Sequence, residues 1–209
     1  MHHKYRDTVD RGTLSGNTAK QLSPLSNTPT FLVPTMFEPI ICATLEQLAT
    51  SYPRDEKFND FYGIWQSILS HLFPPSQGYG FGPLSRVAKD DHTPYLAYEV
   101  VKLIALPANI RTVLIVAIMD GPDWRAYIPS LEKEIICLTD AAFSGALSTM
   151  STATSKVFWI GAIGPHWQYG VKEDNLGQEL KPSIGWHDTI HDEASYDDFQ
   201  HLVTLIADI

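Results

Sequence analysis

The sequence predicts an α/β or α+β fold, a single domain in which a central mixed β-sheet is flanked by helices. Residues 113–119 form an unbroken apolar run that ends before Gly121-Pro122, and four of its seven side chains are β-branched. Such a run is typical of a central strand that is buried on both faces. The predicted order of elements is helix, helix, three strands, long helix, hairpin and helix. No repeat or linker divides this series.

Two amphipathic helices begin the predicted domain. Thr35 and Glu38 form a capping-box pattern before the first helix. Ser51-Tyr52-Pro53 separates it from the second helix. Their apolar side chains recur at helical spacing, with Phe37, Ile40, Ile41, Leu45 and Leu48 in the first helix and Phe58, Phe61, Tyr62, Trp65, Ile68, Leu69 and Leu72 in the second.

The middle of the chain predicts three strands and a long helix. A short strand is expected from Tyr79 to Leu84, and a longer one from Pro94 to Leu103, before the apolar run. A helix then extends from Trp124 to about Leu147. Its predicted inward face consists of Tyr127, Leu131, Ile135, Leu138 and Ala142.

The last part predicts a hairpin and a final helix. Lys156–Ile163 and His166–Val171 are strands joined by a Gly164-Pro165 turn. A short extended piece reaches Trp186, and Ser195 is predicted to cap the final helix, with Asp198 three residues on. The inward face of this helix is predicted to be Phe199, Leu202, Val203 and Ile206.

Composition bounds the domain and its partners. Residues 1–30 are rich in small polar residues and predict a flexible arm, followed by a domain over residues 31–209. The net charge is −9, with only 15 Lys and Arg, which weighs against nucleic-acid binding. No apolar run approaches the ~20 residues that span a bilayer, so no membrane association is expected. Cys42 and Cys137 are predicted to be buried free thiols, and the expected location is intracellular, cytoplasmic or nuclear.

Three segments carry a resemblance to a known superfamily. They are Thr93 to Val100, Val113 to Met119, and the long helix followed by Val157 to Trp167. Their pattern and order resemble the PD-(D/E)XK nuclease-like superfamily, and most of all its uncharacterised fungal proteins. The resemblance covers roughly residues 35–209 and implies a restriction-endonuclease-like fold. In active members two acids hold a divalent metal and a Lys assists the attacking water.

The motif residues themselves are absent from this chain. Aligned by pattern, Tyr95 replaces the first acid, Ala117 the second and Met119 the Lys. Ala and Met offer neither a hard oxygen ligand nor a charge. We therefore expect no catalysis and no cofactor, and interpret the chain as an inactive nuclease-like domain that binds a protein partner or a second copy of itself.

Two other functions stay open at this stage. The first is a divergent nuclease that uses Mg or Mn bound by Asp91, Glu99 and Asp120. The second is a binder or enzyme for a hydrophobic small molecule, held in the former active-site cleft. The predicted lining of that cleft is Tyr95, Ala97, Ala117 and Met119.

Two further groups have the composition of sites. His187 and His191 are four residues apart and could hold zinc on a continuous helix, but Gly185 and the surrounding acids favour solvated or structural histidines. Trp159, Trp167, Tyr169 and Trp186 lie around the hairpin. They would form a stacking platform for a partner if exposed, although most such aromatics belong to the core.

Overall fold

A mixed six-stranded sheet lies between one long helix on one face and three helices on the other. The computed structural model describes residues 37–50, 60–84, 95–104, 109–119, 121, 123–147, 151–173 and 179–209, all within one compact unit, Pro34–Ile209. The arm predicted over residues 1–30 lies outside the described residues. The elements are α1 (Pro39–Thr50), α2 (Asp60–Leu72), β1 (Tyr79–Leu84), β2 (Tyr95–Leu103), β3 (Ile110–Met119), α3 (Trp124–Phe143), β4 (Lys156–Ile163), β5 (His166–Glu173), β6 (Lys181–Pro182) and α4 (Glu193–Ala207).

The strands follow one another across the sheet in chain order, from β1 to β6. The strands β3 and β4 are parallel, and every other neighbouring pair is antiparallel. A parallel pair needs a crossover connection, and α3 supplies it. The predicted fold class, α/β or α+β with a central mixed sheet and flanking helices, is confirmed, and the arrangement is α+β.

The central strand β3 separates two apolar layers. From Thr112 to Met119 it is buried throughout, as the apolar run predicts. Because side chains alternate along a strand, successive residues enter different layers. Leu114, Val116 and Ile118 pack with α1, α2 and α4, whereas Ile115, Ala117 and Met119 pack with α3.

Two glycines let other groups approach the sheet on the α3 side. A Cβ on Gly161 would lie 3.0 Å from side-chain atoms of Leu131 and Ile135, both on α3. A Cβ on Gly170 would lie 2.2 Å from the Lys181 carbonyl oxygen. The absence of side chains at these positions therefore allows close packing of α3 and of β6.

Several details differ from the expectations. The final helix is capped by Asp192, whose side chain accepts a hydrogen bond from the Ser195 amide (2.8 Å). Ser195 instead lies in the first turn and is fully buried, so its prediction as the cap is wrong. Ile40 belongs to the predicted apolar face of the first helix, but its side chain is 70% exposed. The two cysteines were expected to be buried, but Cys42 is only half-buried and Cys137 is exposed. Cys137 is exposed because it lies on the outer side of α3. Among the described residues, no helix is long and apolar enough to cross a membrane.

Candidate functional site

The four residues predicted to line a cleft do lie together. In the β2–β3 ladder Tyr95 is opposite Met119, and Ala97 is opposite Ala117. Strand alternation directs all four side chains to the α3 side of the sheet. The positions at which the resemblance expects two acids and a Lys thus form one contiguous patch.

This patch is covered by α3. Ala97 and Ala117 are 0% exposed and Met119 is 3% exposed. They share an apolar cluster with Leu131 and Ile135 of α3. At its margin the Tyr95 hydroxyl donates a hydrogen bond to Glu134 Oε1 of α3 (2.6 Å). Side chains of α3 therefore fill the space above the two strands, where the sequence leaves a cleft for a hydrophobic ligand open as an alternative.

The residues of this patch do not fit a magnesium or manganese ion. Both ions require several oxygen ligands, and neither an Ala methyl nor a Met thioether provides one. The Tyr95 oxygen is engaged with Glu134. Within the described ranges, no group of three His, Cys, Asp or Glu side chains is arranged to hold a metal.

Of the fallback acids, only Glu99 belongs to the described part of the chain. It is 7% exposed, and its Oε1 accepts hydrogen bonds from the hydroxyls of Thr112 (2.5 Å) and Ser151 (3.0 Å). A bulge between β2 and β3 shifts the register beside Glu99 and aligns Thr112 with Val101. Asp91 and Asp120 lie outside the described residues, so a site shared by the three acids stays untested.

The two weak zinc candidates have separate partners. His187 Nε2 lies 2.7 Å from Asp198 Oδ2, and the ring of His187 stacks on Trp167. His191 Nδ1 lies 2.5 Å from the Thr189 hydroxyl. Both histidines precede α4, so the helical spacing that would place them on one face does not exist here.

The four aromatic residues around the hairpin form no common platform. Trp159, Trp167 and Tyr169 are at most 1% exposed. Trp159 belongs to the apolar layer of α3, whereas Trp167 and Tyr169 belong to the opposite layer, where Trp167 stacks on Phe199 at 3.8 Å. Burial accordingly raises the pKa of Tyr169. These three rings belong to the core, which is the interpretation that the sequence favours, and they face opposite sides of the sheet, so they do not share a platform.

A different aromatic cluster lies at the carboxyl ends of the parallel strands β3 and β4. Trp124 stacks on His166 (4.4 Å between ring centroids) and tilts against Trp186 (5.1 Å). The guanidinium of Arg125 lies 4.7 Å from the Trp124 ring centroid, and Asp188 Oδ1 lies 3.7 Å from His166 Nδ1. We call these five residues the tryptophan corner. Trp124 and Trp186 are both partly exposed.

The sequence pattern identifies Trp124 only as the start of a helix, and it groups Trp186 with the aromatic residues of the hairpin. The available signal in the sequence is an adjacent Trp-Arg pair that comes shortly after the Gly121-Pro122 sequence at the end of the apolar run. Open α/β sheets generally bind ligands outside the carboxyl ends of their strands, which is where this pair lies.

The two edges of the sheet are poor sites for adding a strand. The Leu103 amide donates a hydrogen bond to the Gly78 carbonyl (3.0 Å), so Gly78 and Leu103 are a hydrogen-bonded pair of the antiparallel ladder. Because hydrogen-bonded and non-hydrogen-bonded pairs alternate, the backbone N–H and C=O groups at the next odd positions of β1 point away from β2. These positions are Tyr79, Phe81 and Pro83. Pro83 has no N–H to offer there. The opposite edge, β6, has two residues, and the second is Pro182. Short strands and prolines are common protections of sheet edges.

Comparisons with models of protein families, with curated proteins and with solved structures found no match. The resemblance to the nuclease-like superfamily therefore depends on the residues and the arrangement described above.

Proposed function

We propose that this chain is a catalytically inactive, nuclease-like domain that acts as a binding or protein-interaction module. One observation carries the proposal. The three positions where the superfamily has two metal-binding acids and a Lys are Tyr95, Ala117 and Met119, and they lie side by side beneath α3. Loss of one ligand can be rescued by a neighbour. The replacement of all three, with Ala117 and Met119 buried, removes the two metal-binding acids and the ammonium group that active members use.

The arrangement of elements supports the proposed relationship. The resemblance rests on two strands followed by a helix and a closing hairpin. The strands β2 and β3, the helix α3, and the hairpin β4–β5 follow one another in that order in a single mixed sheet. The fold alone does not determine a function, and it is the residues at the site that speak against catalysis.

The alternatives meet specific obstacles. A divergent nuclease would use Glu99, whose Oε1 already accepts two hydroxyl hydrogen bonds within the core. A hydrophobic ligand in the former cleft would need to displace Leu131 and Ile135, which are fully buried. Both changes carry a cost in folding free energy that an interaction at the surface does not require.

A cleavage assay tests the proposal. The full chain is incubated with labelled single- and double-stranded DNA and RNA in the presence of magnesium or manganese. We expect no cleavage of any substrate and no calorimetric heat on titration with either metal up to millimolar concentration.

Two variants make the result specific. Asp120→Ala removes an acid of the divergent site, and Asp123→Ala removes an exposed acid three residues away. Metal-dependent cleavage that Asp120→Ala abolishes and Asp123→Ala preserves would contradict the proposal and establish the divergent nuclease.

A further inference from the structure

We propose that the tryptophan corner binds an arginine side chain in a basic segment of a partner protein. This inference deepens the proposed interaction function and rests on it, since it names a surface and the chemistry of the partner. It does not depend on the residues of the former catalytic patch.

The geometry of the corner supplies the first argument. Trp124 and Trp186 meet at an interplanar angle of 51°, so the two partly exposed rings form an angled surface. Tryptophan faces attract cations more strongly than other aromatic rings do. Tryptophan is also enriched among the residues that dominate binding energy at interfaces.

The chain itself shows which group the ring accepts. The exposed Arg125 holds its guanidinium 4.7 Å from the Trp124 centroid. A guanidinium is planar and weakly hydrated, and it stacks on aromatic faces. Arg125 therefore occupies the position that the arginine of a partner would take, and the partner must displace it.

Charge favours a basic occupant over an acidic one. Asp and Glu outnumber Lys and Arg by 24 to 15 in the chain, which gives a net charge of −9. Beside the single guanidinium of Arg125, the side chain of Asp188 is 90% exposed at the corner, and Asp123, which precedes Trp124 in the sequence, is exposed as well. These carboxylates can pair with further cations of the same segment once an arginine is seated on Trp124.

The probe for this proposal is a short peptide of alternating Arg and Gly, compared with one of alternating Glu and Gly. The chain has five tryptophans, of which Trp65, Trp159 and Trp167 are fully buried. Indole N–H signals in NMR spectra are assigned with Trp124→Phe and Trp186→Phe. We expect the Arg peptide to shift the signals of Trp124 and Trp186, and the Glu peptide to shift none.

Three variants distinguish a seated arginine from general attraction. Arg125→Ala removes the internal competitor and should tighten binding of the Arg peptide by about two- to fivefold. Trp124→Leu keeps an apolar side chain but removes the ring, and it should abolish the shift at Trp186. Lys133→Ala removes an exposed positive charge elsewhere on α3 and should leave the affinity within the error of the wild type.

The outcomes separate this inference from the proposed function. Equal gains in Arg125→Ala and Lys133→Ala, binding that survives in Trp124→Leu, or no binding by either the wild type or Arg125→Ala would overturn the inference. None of these results would bear on catalysis. Metal-dependent cleavage, in contrast, would overturn the proposed function and leave the peptide result standing.

Discussion

Glu99 is a carboxylate in an otherwise apolar part of the sheet, and its hydroxyl partners stabilise it there. The hydroxyls of Thr112 and Ser151 both donate hydrogen bonds to the same oxygen, Oε1. A buried charged group that loses a donor retains its desolvation cost without the compensating bond. The Ser151 bond also ties the segment before β4 to β2, so one carboxylate connects two distant parts of the chain.

The change Thr112→Val tests this arrangement. It keeps the shape of the side chain and removes the hydroxyl, so we expect the free energy of unfolding to fall by about 1–3 kcal/mol. Urea denaturation followed by circular dichroism measures the loss. Thr152→Val removes an exposed hydroxyl near the same strand and should change stability by less than about 0.5 kcal/mol. Equal effects of the two changes would contradict the role given to Glu99.

His166 makes stability depend on pH. Burial lowers its pKa from the ordinary value, and the nearby Arg125 acts in the same direction against the opposing effect of Asp188. The unfolded chain therefore binds a proton at His166 at a higher pH than the folded chain does, so this residue contributes a loss of stability as pH falls through the histidine range.

The variant His166→Phe, which keeps a ring beside Trp124, should lose this contribution. Between about pH 7.5 and about pH 5.5 its melting temperature should fall less steeply than that of the wild type. His201→Gln changes an exposed histidine on α4 and serves as the control. A slope in His166→Phe as steep as that of the wild type would show that protonation of His166 does not oppose folding.

At the scale of elements, contact between α3 and the sheet depends on Gly161. Its missing Cβ admits Leu131 and Ile135. We expect Gly161→Ala to force these side chains or the helix outward and to cost about 1–3 kcal/mol of unfolding free energy. Chemical denaturation measures the change.

The change Gly63→Ala is a matched control that should alter the unfolding free energy in the opposite direction. It is exposed within α2, and an added Cβ would have no atom within 4 Å. Gly63→Ala should therefore raise the unfolding free energy by about 0.5–1 kcal/mol, because alanine favours the helical backbone. If both alanines changed stability in the same direction, the packing argument for Gly161 would fail.

The elements show how far the sequence could be interpreted. The bounds of β1 and β4 match the predicted Tyr79–Leu84 and Lys156–Ile163, because local signals such as the turns at Gly78 and Gly164 mark their ends. The start of α4 was missed because Asp192 and Ser195 both have capping side chains, and only the fold shows that Ser195 is enclosed. The Ser195 hydroxyl donates a hydrogen bond to the Thr189 carbonyl and accepts one from the indole N–H of Trp167.

The candidate site was only partly predictable for a related reason. Alternation along β2 and β3 correctly grouped Tyr95, Ala97, Ala117 and Met119 on one face. Whether that face is open depends on where α3 packs, which is a tertiary property. The tryptophan corner joins residues from α3, β5 and the segment before α4. The spacing of residues within a single helix or strand cannot predict a cluster that is formed by three separate segments.

At the scale of the whole molecule, stability should be greatest at the centre of the sheet. The residues of β3 from Thr112 to Met119 are buried and lie between two hydrogen-bonded neighbours, whereas β1 and β6 are edges. Amides that exchange only on global unfolding belong to such central strands. Hydrogen exchange monitored by NMR should therefore be slowest in β3 and β4 and fastest at Lys181, whose amide is the only one in β6 because Pro182 has none. Faster exchange in β3 than in β1 would contradict this order.

Pro83 and Pro182 have a consequence for the behaviour of many copies at once. A sheet grows into a fibre when the backbone N–H and C=O groups of its edge strands pair with those of the next chain. Here each edge strand contains a proline, which has no backbone N–H to donate. Folded copies should consequently resist edge-to-edge assembly into fibres in concentrated solution.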